Sequence, residues 1–363
     1  MSGSLRRDKL RELLREKEVE ALLVTNFTNV TYLTGFTGDD SYLLVTRESQ
    51  ALLSDPRYTT QLEEECPGLP LEIREPGAKM GDWTAEVVRR HSLSQVAVEG
   101  DSMTVAQFKA LKESLSGLEL KPLSGLVEQL RLIKDDQEVS AIREAARIAQ
   151  RAFAVMRASL RPGQTEREAA HDLEHQIRLF GGDGCSFPPI VAVGPRAALP
   201  HARPTDIRIG SSDFVLVDWG ARAAQYVSDL TRVLVTGTIP PKLETIYEVV
   251  LNAQQQAIAA IRPGAVLQEI DAVARDIITE AGYGPQFGHG LGHGIGLEVH
   301  EAPRLAKNQP QPLQAGMVVT VEPGIYLPGW GGVRIEDDVL VTSSGHEVLT
   351  SAPKQFADCV ATI

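Results

Sequence analysis

The sequence predicts an α/β (α+β) protein of two domains, 1–122 and 135–363, joined by a connecting segment at 123–134. Three observations predict it. Short apolar runs alternate with amphipathic helices up to about residue 122. A long helix of strong 3.6-residue periodicity opens near Asp135. Behind it, two stretches of the same layout follow one another, which implies an internal repeat and a pseudo-two-fold axis. The length of 363 residues agrees, at roughly 150 residues per domain. A chain of that size buries about three quarters of its unfolded surface without staples.

Residues 5–17 read as an amphipathic helix with Leu10, Leu13 and Leu14 on one side. The apolar runs 21–24, 42–45, 51–53 and 96–98 read as buried strands. Helical patterns lie between them at about 58–65, 82–91 and 105–114. This domain shows no evident chemistry. Its one polar cluster, Asp55 to Tyr58, reads as a turn that opens a helix. In the second domain, Ile142, Ala145, Ala146, Ala149, Phe153 and Met156 form one apolar stripe, and Asp135-Asp136 suits the positive end of that helix.

Charge and cysteine usage narrow the function classes. The formal charge is −12, so the chain gains nothing from phosphate neutralisation, and neither nucleic acid nor an anionic membrane is an expected partner. Cys66, Cys185 and Cys359 are odd in number and far apart, which gives neither a disulfide framework nor a zinc knuckle. No run reaches the ~18 apolar residues of a membrane span. Residues 1–24 alternate charge with leucine and do not read as a secretory signal, so the expected compartment is the cytoplasm.

The repeat carries the chemistry. Arg161-Pro-Gly163 and Arg262-Pro-Gly264 each stop one amphipathic helix and turn the chain into the next (166–180 and 267–281). Asp218 lies 55 residues after Gly163, and Glu322 lies 58 after Gly264. Both end an apolar strand and are followed two residues on by glycine. A second acid follows each, Asp229 after 11 residues and Glu336 after 14. A histidine precedes each, His201 by 17 residues and His300 by 22. A two-fold axis would bring the four carboxylates together. Alone, each acid could be a solvated strand end. Together they carry −4, which two divalent cations balance.

Residues 289–301 hold His289, His293 and His300 in a glycine-rich stretch whose backbone can pass close to a site. One imidazole among four carboxylates suits Mn²⁺, Fe²⁺ or Co²⁺ better than a closed structural zinc site. Two such ions about 3.5–4 Å apart acidify a shared water for attack on a carbonyl.

Six ordered segments resemble one family: Pro200-His201, 217–220 (VDWG), 228–232 (SDLTR), 293–301 (HGIGLEVHE), 321–326 (VEPGIY) and 332–337 (GVRIED). They resemble the Xaa-Pro peptidases, aminopeptidase P and prolidase. The resemblance covers the chain from about Asp135, and reaches more weakly over the first domain through 29–36 (NVTYLTGF) and 55–58 (DPRY). It implies a creatinase-like N-terminal α/β domain and a C-terminal catalytic domain of the "pita-bread" fold. It implies Asp218, Asp229, His293, Glu322 and Glu336 as ligands of two divalent ions, Mn²⁺ first, with Co²⁺, Fe²⁺ or Zn²⁺ as alternatives. Asp229 and Glu336 would bridge both ions. His201 and His300 would contact the scissile amide, Glu322 would serve as general base, and His289 and Arg334 would line the substrate pocket. Asp337 and Asp338 read as structural, and Tyr326 reads equally as packing. Trp219 stands where the resemblance leads one to expect a smaller aromatic.

The expected activity is a metal-dependent Xaa-Pro aminopeptidase acting on small peptides with proline second, in a homodimer. Prolidase is the alternative within the class. Methionine aminopeptidase would not need the extra domain of about 120 residues. A metal-free creatinase-like binding or scaffold protein is the reading from another class, and the filled ligand positions argue against it.

Overall fold

The continuous apolar runs of the first part become strands of one mixed sheet. In the computed structural model, which describes residues 3–361, the chain divides into two compact units between Arg131 and Leu132. In the first, β1 (Ala21–Val24) is buried along its whole length, as a central strand must be. It pairs antiparallel with β2 (Ser41–Thr46), which pairs with β3 (Gln50–Ser54). Parallel partners extend both sides: β4 (Leu71–Ile73) beside β3, then β5 (Gln95–Glu99) and β6 (Glu119–Leu123) beside β1, in the order β4-β3-β2-β1-β5-β6. Helices α1 (Gly3–Glu16), α2 (Phe27–Thr34), α3 (Thr59–Glu65), α4 (Met80–Arg90), α5 (Val105–Ser114) and α6 (Leu126–Arg131) complete the unit.

Sequence periodicity does not mark α2, β4, β6 or α6. The edge strands β4 and β6 are half-buried or exposed and carry mixed residues. The short α2 is delimited instead by its caps: Asn26 accepts from the Thr28 N–H, and Gly35 turns left-handed at φ 84°. The segment expected to be a plain connector contains α6, which packs on α1.

In the second unit, α7 (Asp136–Ser159) starts as its sequence predicts. Asp135 caps the N–H groups of Gln137 and Glu138, and the Glu138 side chain reaches back to the Asp135 N–H. α7 pairs with α8 (Glu166–Leu179). Three strands follow in one antiparallel sheet: β8 (Ile190–Val193), β9 (Phe214–Trp219) and β12 (Leu230–Val235), with β9 in the middle. β7 (Gly184–Cys185), β10 (Ala221–Ala223) and β11 (Tyr226–Val227) form a small sheet beside them. The second half repeats the plan. α9 (Pro241–Ala260) pairs with α10 (Leu267–Glu280), and β13 (Gly292–Gly294), β15 (Val318–Val321) and β18 (Asp337–Val341) pair antiparallel with β15 in the middle. β14 (Glu301–Leu305) and β19 (His346–Val348) extend that sheet, and β16 (Gly324–Leu327) with β17 (Gly331–Arg334) make a hairpin.

The two halves agree down to single hydrogen bonds. Gly163 and Gly264 both adopt left-handed φ, 85° and 84°. The Gly163 N–H donates to Ile209 O, and the Gly264 N–H donates to Leu313 O. Glu166 N–H to Ile207 O matches Leu267 N–H to Gln311 O. Thr165 bridges Arg208 as Val266 bridges Pro312.

Trp219 fits without strain. It is fully buried, stacks on Phe153 with ring centroids 4.1 Å apart, and its indole N–H donates to Ala149 O at 2.9 Å.

Candidate metal centre

The strand ends deliver the acids to one place. Asp218 sits near the end of β9 and Glu322 follows β15 directly. Asp229 precedes β12, and Glu336 precedes β18. His293 lies on β13, next to β15. Ligand atoms of Asp229, His293 and Glu336 all lie within 4.8 Å of one another. His293 Nε2 is 3.3 Å from Glu322 Oε1 and 3.9 Å from Asp229 Oδ2. Asp218, Asp229, His293, Glu322 and Glu336 line one cavity of about 930 Å³ together with His201, His289, His300 and Arg334. The structure thus brings together every site residue expected from the sequence.

The pairing of the acids differs from the sequence offsets. Asp218 lies opposite Thr231 in the first hairpin. Val321 lies opposite Asp337 in the second, which sets Glu322 opposite Glu336. Glu336 therefore occupies the place of Thr231, and the counterpart of Asp229, two residues earlier in the chain, is Arg334. Counting residues could not reveal this, because the loops inside the two hairpins differ in length. Asp338 accepts the Asp229 N–H at 3.1 Å.

The electrostatics describe a hole for cations. Burial and repulsion from Glu336, Asp218 and their neighbours push Asp229 well above the usual carboxylate range. Burial, then Glu322 and Asp218, do the same to Glu336. Burial raises Asp218 against the pull of Arg334, which bonds its Oδ2. Burial also raises Glu322, but the hydrogen bond and charge of His293 outweigh it and hold Glu322 low. Asp218 Oδ1 and Asp229 Oδ1 are buried with no hydrogen-bond partner. Buried carboxylate oxygens left so are expensive unless a cation faces them. His293 Nδ1 faces Gly294 O at 3.1 Å and its Nε2 faces the acids; a proton kept on Nδ1 by that carbonyl would leave the Nε2 lone pair to a metal. The donor set, four carboxylates and one imidazole nitrogen, fits divalent metal.

A second network borders the acids. His289 Nδ1 lies 2.7 Å from Gly290 O, so Nε2 accepts from the Tyr326 hydroxyl at 2.9 Å. Arg334 donates to that hydroxyl at 2.8 Å and to Thr231 Oγ1 at 3.0 Å. Burial lowers His289, against the opposing pull of Glu322. Burial and the nearby His293 lower His300, whose ring meets His293 edge-on at 4.4 Å. Tyr326 therefore belongs to the site and is not simple packing. Its signal in the sequence was position, two residues after the glycine of 322–324. Arg203 and Arg304, which also line the cavity, carried no sequence signal.

Three buried carboxylates hold the histidine loops. Glu166 on α8 bonds both ends of the 193–205 loop that carries His201. Asp271 on α10 accepts the Leu291 N–H and pairs with Arg275, which donates to Phe287 O and His289 O. Glu301 accepts the N–H groups of Leu297 and Glu298 and pairs with Lys134, ordering the turn before His300.

The comparisons with known proteins agree with this geometry. Residues 140–343 match the model of metallopeptidase family M24, and residues 6–133 match the creatinase/prolidase N-terminal domain. The chain is 36% identical over 349 residues to an Xaa-Pro dipeptidase of Pyrococcus horikoshii, covering 96% of this chain and 97% of that one. It superimposes on an Xaa-Pro dipeptidase from Bacillus anthracis with a TM-score of 0.94 at 41% identity, covering 98% and 99% of the two chains. An X-Pro aminopeptidase from Thermotoga maritima gives 0.87 at 34% identity, with coverage of 95% and 98%. A cation-shaped cluster of four acids and a histidine, on a doubled helix–strand unit with a creatinase-type domain before it, makes this chain a member of metallopeptidase family M24.

Proposed function

We propose that the protein hydrolyses the bond between an N-terminal residue and a following proline, with dipeptides as its preferred substrates. The observation that carries the reading is the buried five-residue ligand cluster at the floor of a cavity with histidines around it. Asp218, Asp229, His293, Glu322 and Glu336 would hold two divalent ions, Mn²⁺ foremost. When bound, the ions supply Lewis acidity and an acidified water.

The chain's own groups do the rest. Glu322 takes a proton from the attacking water and passes it on to the leaving proline nitrogen. His201 and His300 donate to the scissile carbonyl as charge develops on its oxygen. Water adds OH to the carbonyl carbon, the C–N bond breaks, and the nitrogen leaves as a secondary amine. An Xaa-Pro amide has no N–H, so a site that grips only the carbonyl is suited to it. Phe187, Pro188 and Pro189 give the cavity apolar wall for a pyrrolidine ring.

Dipeptide preference rests on two supports. Relatives of nearly full coverage are named Xaa-Pro dipeptidases. Arg203 and Arg304 line the cavity, and unlike Arg334 neither is bonded to the acid cluster; a free proline carboxylate would meet such a charge. The Thermotoga relative keeps the aminopeptidase reading as the alternative. Turnover of Ala-Pro and Ala-Pro-Gly, measured side by side on Mn²⁺-loaded protein, decides. Faster cleavage of Ala-Pro is expected; cleavage of Ala-Pro-Gly at an equal or higher rate moves the assignment to the aminopeptidase. A cytoplasmic homodimer completes the proposal, with sedimentation as the measure of its size.

A further inference from the structure

One buried carboxylate outside the ligand cluster has more bonds than a helix needs of it. Glu166 is the first residue of α8, is 0% exposed, and lies 35 residues before His201. Its Oε1 accepts the Val193 N–H at 2.8 Å and Arg196 Nε at 3.1 Å. Its Oε2 accepts the Thr205 N–H at 2.8 Å, the Thr205 hydroxyl at 2.7 Å and Arg196 Nε at 3.0 Å. Val193 enters the 193–205 loop, Thr205 leaves it, and Arg196 lies within it. A single side chain closes the loop at its base. Arg196 also donates to Arg203 O, just beyond His201. The loop's tip, from Pro200 to Pro204, lines the cavity.

A helix start alone does not require this. Thr165 already caps α8 through a reciprocal box with Glu168. The matching residue of the second repeat is Leu267, which carries no charge. The carboxylate therefore serves the loop, and the loop carries His201 into the cavity, with Arg203 beside it.

We propose that Glu166 is a positioning residue that sets the place of His201 against the scissile carbonyl. The inference rests on the proposed role of His201. A glutamine at 166 keeps the shape but has one acceptor oxygen, and its amide NH₂ would face either Val193 N–H or the two donors of Thr205. The donor-to-donor contact opens the loop base, and a displacement of about 1 Å in a catalytic group costs up to about 10²-fold in rate.

The test is a double-mutant cycle on the Mn²⁺-loaded full chain with Ala-Pro as substrate. Glu166→Gln is expected to lower kcat about ten-fold or more, at unchanged metal content and with a smaller change in KM. In the His201→Ala background the same substitution is expected to cost less than about two-fold, because both act through one group. An equal cost in both backgrounds makes Glu166 merely structural and overturns the proposal, as does a fully active Glu166→Gln. If Glu166→Gln does not fold, Thr205→Val, which keeps the backbone bond and loses the hydroxyl, enters the same cycle with the same two outcomes. If His201→Ala itself leaves kcat unchanged, the role given to His201 fails. The His201 Cε1–H resonance then decides the positioning alone: a shift on Glu166→Gln supports it, and an unmoved resonance overturns it.

Discussion

Thr231 and Glu336 are bonded twice across the two halves of the catalytic unit. The Glu336 N–H donates to Thr231 O at 3.2 Å, and the Thr231 hydroxyl donates to Glu336 Oε2 at 2.6 Å. The two residues hold matching places in their hairpins, so this pair lies where the repeat axis would pass. Thr231 Oγ1 also receives Arg334 Nε, which ties the acid of one half to the arginine that holds Asp218. Thr231→Val keeps the side-chain shape and frees one oxygen of a proposed bridging ligand. Affinity for Mn²⁺ is expected to fall by about 10–100-fold, as for other residues that orient a ligand. Calorimetric titration measures it, and unchanged affinity would mean that the hydroxyl does not orient Glu336.

Metal removal and a ligand substitution should move stability in opposite directions. Asp229 is buried among four acids and raised by burial and their repulsion. Without metal, Asp229→Asn removes one repelled charge, so the metal-free variant is expected to be more stable than metal-free wild type by about 1 kcal/mol or more. Wild type should gain about 2.7 kcal/mol at Mn²⁺ of 100 times Kd, and the variant little. Thermal unfolding with chelator and with Mn²⁺ gives all four values. A variant stabilised by Mn²⁺ as strongly as wild type would remove Asp229 from the ligands.

His300→Ala separates turnover from metal binding. Its ring rests on His293, but His293 keeps its own bond to Gly294 O. Turnover of Ala-Pro is expected to fall about 10²–10⁴-fold while bound metal stays near wild type. Loss of metal together with activity would make His300 a ligand or its support.

Arg304→Ala bears on substrate length. The arginine is exposed at the cavity. KM for Ala-Pro should rise about ten-fold or more, the worth of one charged hydrogen bond, with a much smaller change for Ala-Pro-Gly. Equal changes for both substrates would show that the arginine does not read the proline carboxylate.

Glu99 gives the first unit a pH dependence of known sign. Burial raises its carboxyl against hydrogen bonds from Asn29 Nδ2 and the N–H groups of Asn26 and Thr25. A raised folded value means the folded state binds the proton more tightly. The resulting stability is fully present below the unfolded value of about 4.3 and is lost as pH rises through the folded one. Urea unfolding of wild type and Glu99→Gln at pH 4, 5.5 and 7 should show the wild-type margin over the variant shrinking as pH rises. A constant difference would show no linkage at Glu99.

The sequence by itself determined the repeat, the five candidate ligands and the family. Helix periodicity, Pro-Gly stops at Gly163 and Gly264, and acids closing apolar strands are local features, written in consecutive residues. Asp218, Asp229, His293, Glu322 and Glu336 were legible because each stands in a short motif whose neighbours fix its strand or turn. Tertiary structure decided what depends on register and on contacts between distant segments. Strand register, not offset, made Arg334 the counterpart of Asp229 and left Glu336 facing Thr231. Packing, not composition, placed Tyr326 between His289 and Arg334, and set Glu166 beneath the loop of His201. Such bonds join residues 8 to 105 positions apart, beyond the reach of helix or strand periodicity, because a polar side chain's partners are chosen by the fold that surrounds it.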